Sequence, residues 1–147
     1  MKALKKIGTV LICIPGVLLF LFIGWELFGM AVNNIEANWQ TEQLISEISN
    51  VGEDDVEILD TNTFVGNHSG TGNHCDIVSA AIVRTERYAD LSYHAGQWCE
   101  IFRRLSDLNK YDYENWSRQL DFPEDETNCY LLVKIEGASF KDNIQGH

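Results

Sequence analysis

Hydrophobic positions change their spacing repeatedly along this chain, and each change marks a new element. From Ile7 to Trp25 they are unbroken: nineteen residues without a charge, preceded by Lys2, Lys5 and Lys6 and followed by Glu26. As a helix this run is about 28 Å long, close to the ~30 Å hydrocarbon thickness of a bilayer. A cleaved signal has an apolar core of only about 7 to 15 residues, so the run predicts a retained transmembrane anchor over residues 7–32. Gly29-Met30-Ala31 nevertheless fits the small-x-small pattern of a cleavage site. Cys13 lacks the small preceding residue of a lipid-attachment cysteine, because Ile12 stands there. Trp25 falls where an interfacial aromatic is expected.

Past the anchor, Ile35, Trp39, Leu44, Ile45, Ile48 and Val51 recur at helical spacing, predicting an amphipathic helix from Ile35 to Asn50. That helix can continue from the anchor through Asn33-Asn34. Val56 to Val65 then alternates and is rich in β-branched residues, as a strand would be. The following Gly66 to Asn73 holds three glycines and two asparagines and predicts a loop. Cys75 to Arg84 is apolar at both alternations, which suits a central strand paired in a hairpin with the first.

From a cap at Asp90, the residues Leu91, Ala95, Trp98, Phe102 and Leu105 step by four and three, predicting one long helix. A second helical spacing at Tyr113, Trp116 and Leu120 stops before Pro123. Leu131, Val133 and Ile135 alternate within a third strand, Cys129 to Ile135, and the tail from Ser139 to His147 has no clear period. The predicted class is α+β: an N-terminal transmembrane helix, then a small antiparallel three-stranded sheet with helices packed on one face.

Charge sharpens this picture. The basic start places residues 1–6 in the cytoplasm and residues 33–147 outside it, at the plasma membrane. Residues 33–147 hold 8 Lys and Arg against 21 Asp and Glu, a net charge of −13. A surface this acidic repels phosphate backbones, so nucleic acid is not an expected partner. The expected partners are the membrane, crossed once, and a protein. About 115 residues suffice for one domain.

Candidate chemistry is sparse. His68, His74, Asp76 and His147 are the metal-ligand types that the fold could gather, since His74 and Asp76 would share a strand face. None of the compact zinc spacings is present, so no cofactor is expected, and zinc is the one to test. Gly66, Gly70 and Gly72 form the candidate anion-binding loop, although the lysine and the following helix of phosphate loops are missing. A thiol nucleophile at Cys75 would need His68, His94 or His147, because its neighbour His74 points to the other strand face.

Cys75, Cys99 and Cys129 make an odd number for internal disulfides. Asn67-His68-Ser69 and Asn115-Trp116-Ser117 match the glycosylation pattern, as chance allows among eleven asparagines. The leading expectation is therefore an anchored accessory or regulatory binding module. A tethered zinc- or thiol-dependent hydrolase and a structural subunit of a membrane complex are the alternatives.

Overall fold

A computed structural model describes residues 2–51, 55–68, 74–108, 114, 116–123 and 125–146, with side chains from residue 14 onward. Its first element, α1 (Lys2–Val51), is a single helix of 50 residues that carries Pro15 without ending. The predicted anchor and the predicted amphipathic helix are thus one rod, about 75 Å long. Its N-terminal half is long and apolar enough to cross a membrane, and 6% of its most apolar window is buried in the protein. Its C-terminal half packs on a sheet.

That sheet holds four antiparallel strands, β1 (Glu57–Gly66), β2 (Asp76–Arg84), β3 (Glu100–Phe102) and β4 (Cys129–Gly137), in the order β1-β2-β4-β3. β2 and β4 are central, and each buries apolar side chains on both faces. Val78, Ala80, Ile82, Leu131 and Val133 face one way. Ala81, Val83, Tyr130 and Leu132 face the other, against Leu44 and Ile48 of α1 and against Leu91 and Ala95 of α2 (Tyr88–Ala95). Helices therefore cover one face, as expected. The opposite face is closed by Leu105, Leu108, Trp116, Leu120 and Phe122 from the long connection between β3 and β4.

Two expectations need correction. The sheet has four strands rather than three, because the helical spacing drawn through Leu91 to Leu105 is interrupted. α2 ends at Ala95, followed by Gly96, whose conformational freedom disfavours helix propagation. Beyond it, Ile101 joins the helix-side cluster and Phe102 the opposite one, the alternation of a strand, and Glu100 to Phe102 pair with Val133 to Leu131.

The second correction concerns which face of α1 is buried. Ile35 and Trp39 are 67% and 60% exposed, whereas Asn33, Ala37, Gln40, Leu44 and Ile48 are the buried stripe. Leu44 and Ile48 meet the apolar sheet, but nearer its N-terminal half α1 meets polar partners. Gln40 Nε2 donates to the Lys134 carbonyl at 3.4 Å, and the Thr41, Thr63 and Ser79 hydroxyls form a chain from helix to β1 to β2.

Candidate functional site

The segment without a sequence period, residues 138–146, is a strap that binds α1 at the point where its long apolar half ends. It leaves β4, pairs with Cys75 through Ala138 N–H to Cys75 O (3.1 Å) and Cys75 N–H to Lys141 O (2.6 Å), and finishes in a 3-10 turn at Ile144–Gly146. Along α1 its partners step by three and four residues: Glu26, Gly29, Asn33 and Glu36. The Glu26 carboxylate accepts from Asn143 Nδ2 (3.0 Å) and from the Ile144 N–H (2.9 Å). Asn33 donates to the Phe140 carbonyl (3.1 Å) and accepts from the Phe140 N–H (3.0 Å). Glu36 accepts from the Ser139 N–H (2.9 Å) and from the Ser139 hydroxyl.

Close approach makes two glycines necessary here. A Cβ on Gly29 would stand 2.7 Å from Asn143 Nδ2 and 2.9 Å from the Phe140 ring. A Cβ on Gly146 would stand 2.5 Å from the His74 carbonyl oxygen, a backbone atom that cannot swing aside. Phe140 also packs on Trp25 and Phe28, with ring centroids 5.2 and 5.5 Å apart. Beside this junction lies a cleft of about 320 Å³, lined by Trp25, Glu26 and residues 139–143. The arrangement fixes the domain to the helix through charge-assisted and amide hydrogen bonds, which are directional where apolar packing is not.

Of the sequence-predicted ligands, the structure brings two together: His74 Nε2 lies 3.2 Å from Asp76 Oδ2. The same Asp76 oxygen accepts the His68 backbone N–H at 3.3 Å, so Asp76 ties the two ends of the β1–β2 connection. Gly66 is the last residue of β1 and pairs with Asp76. His147, Gly70 and Gly72 lie outside the described residues. Among the described residues, no three His, Cys, Asp or Glu side chains converge as a metal ion requires.

Among the described residues Cys75, Cys99 and Cys129 are free thiols, and each is held toward its protonated form. Burial pushes Cys99 up to about 12, with the Glu47 carboxylate adding to the effect. Burial also raises Cys75, and it raises Cys129 together with a hydrogen bond to the Glu126 carboxylate. A nucleophilic cysteine needs the opposite, a stabilised thiolate. In the folded protein at about pH 8 all three are expected to resist alkylation, and all three should react after denaturation. Rapid labelling of Cys75 in the native state would contradict this.

Compared with protein-family models, with curated proteins and with solved structures, the chain matches none. Its own side chains therefore carry the functional reading.

At the far end of the sheet, Arg84 holds Glu126 bidentately (2.9 and 3.0 Å) and Glu57 through its third nitrogen (2.7 Å). The Cys129 thiol and Arg84 together hold the Glu126 carboxyl below its ordinary value. A carboxyl with a lowered folded-state value adds stability above the ordinary carboxylate range and loses it as pH falls through the lowered value. Glu126→Gln should therefore lose less stability than the native chain between about pH 5 and pH 3, read by urea unfolding. Identical acid limbs would remove this role for Glu126.

The polar stripe at Glu26, Gly29, Asn33 and Glu36 is what sequence reasoning missed. Its signal was present, as polar or small residues at helical steps just past the uncharged run. Periodicity searches weight apolar residues, and this stripe faces backbone groups instead.

Proposed function

We propose that the chain is a single-pass membrane protein, its N-terminus cytoplasmic, whose acidic extracytoplasmic α+β domain acts by contact as an accessory or regulatory binding module. The observation that carries this reading is the strap. It joins the domain to α1 at Glu26, one residue past the uncharged run, so the domain would sit at a fixed height on the bilayer rather than on a flexible tether. Retention of the anchor is supported by the same contacts. Cleavage after Ala31 would remove Glu26 and Gly29 and leave Asn143 and Ile144 without their partners on α1. The net charge of −13 over residues 33–147 favours a partner with a basic face.

Crosslinking of the full-length protein in its native membrane tests the proposal. A protein partner should be captured, and it should still be captured when residues 7–25 are exchanged for an unrelated apolar helix. Loss of the partner on that exchange would favour a structural subunit assembled within the lipid. Turnover of a hydrolase substrate that His74→Ala abolishes would overturn the binding reading.

A further inference from the structure

The side of α1 turned away from the sheet carries an apolar stripe that the domain leaves largely exposed, touching it at Phe28 through the Phe140 ring. Phe28, Ile35 and Trp39 are 57%, 67% and 60% exposed, with the partly exposed Val32 between them. Their steps are four, three and four, and the same repeat runs back without a break to Ile14. Within the uncharged run from Ile7 to Trp25 an apolar repeat is unremarkable, since nearly every residue there is apolar. Beyond Glu26 it is not, because exposed aromatic and aliphatic side chains in line mark a contact surface.

Lipid accounts for Phe28 at the near end of the stripe but not for Ile35 and Trp39 at its far end. Trp39 lies about 20 Å along the helix from Glu26, whereas the headgroup zone extends only about 6 Å past the hydrocarbon. The steps also alternate between four and three residues back to Ile14, the heptad pattern that keeps a seam facing another helix. Charge is absent from this surface: residues 27–41 include one ionisable group, Glu36, and it is taken up by Ser139. In a domain of net charge −13, that uncharged face is where two identical molecules can meet without like-charge repulsion. Copies inserted in one orientation present the stripe at one depth, so each stripe meets its own counterpart about a two-fold axis along the bilayer normal.

We infer that Phe28, Val32, Ile35 and Trp39 form a parallel helix–helix seam with a second copy of this chain. The inference rests on the membrane reading above and adds a second copy, held by the uncharged face of α1, to the basic-faced partner proposed there for the acidic surface.

The test uses the full chain with Cys13→Ser, reconstituted in phosphatidylcholine vesicles that contain no other protein. Under mild oxidation Ile35→Cys should form a disulfide-linked dimer about tenfold faster than Asn38→Cys, which lies off the stripe. The exposed double substitution Ile35→Asp with Trp39→Asp should lower the dimer fraction, counted by single-molecule photobleaching, about tenfold while the unfolding transition stays in place. Equal crosslinking at both positions in vesicle-inserted protein would overturn the seam alone. Capture of a different protein's helix in cell membranes by chains that are monomeric in vesicles would overturn the second copy as partner. Chains that wash off the vesicles in alkaline carbonate would overturn the membrane reading and the seam with it.

Discussion

Leu44→Asp is expected to separate the sheet from α1 and abolish cooperative unfolding of the domain at room temperature. Leu44 is fully buried, and with Ile48 it meets Ala81, Val83, Leu91 and Leu132 across the helix–sheet interface. Losing that side chain forfeits about 1.5–3 kcal/mol of burial, and an unpaired carboxylate in its place adds a desolvation cost. A total above about 4 kcal/mol takes most of the stability of a small domain at the lower end of the usual range of about 5–15 kcal/mol. Circular dichroism during urea unfolding in micelles reads the effect. Ile35→Asp, on the exposed face of the same helix, should change the stability of monomeric chains by no more than about 0.5 kcal/mol. Similar losses in the two variants would mean that the buried face of α1 is wrongly assigned.

Asn33→Ala is expected to free the strap while leaving the sheet intact. Asn33 is fully buried and is bonded to both backbone groups of Phe140. Truncation leaves the part-buried N–H and carbonyl of Phe140 without their Asn33 partner, at up to about 1–3 kcal/mol for a group of this kind. Amide exchange at residues 138–146 should quicken by roughly tenfold or more, while the β2–β4 ladder keeps its protection. Unchanged exchange in the strap would show that Asn33 does not hold it. Gly29→Val should act in the same direction by displacing Asn143 and Phe140.

Much of the sheet was legible in the sequence for physical reasons. β2 read as central because Val78, Ala80 and Ile82 alternate with Ile77, Ala81 and Val83, so neither face is polar. The β1–β2 hairpin followed from two such strands around a glycine-rich loop. β3 was illegible because three residues cannot establish a period, and Trp98 and Phe102 happen to fit a helical one. The strap was illegible for a different reason: Asn33 and Phe140 are 107 residues apart, and their bonds use backbone atoms that every residue has. The buried face of α1 was misjudged because Ile35 and Trp39 look like core residues, whereas at this level the domain offers α1 carbonyls and amides.

The central claim is that the chain keeps its anchor and holds the domain outside the cytoplasm, and membrane-impermeant maleimide labelling of intact cells tests it most directly. Tyr93 is 70% exposed on α2, so Tyr93→Cys supplies a reactive thiol against the buried Cys75 and Cys129 and the partly buried Cys99. The account predicts labelling of Tyr93→Cys in intact cells, labelling of Ala3→Cys only after lysis, and both on a full-length polypeptide. Labelling of Ala3→Cys in intact cells, protection of Tyr93→Cys until lysis, or a labelled product shortened by its first thirty or so residues would contradict it.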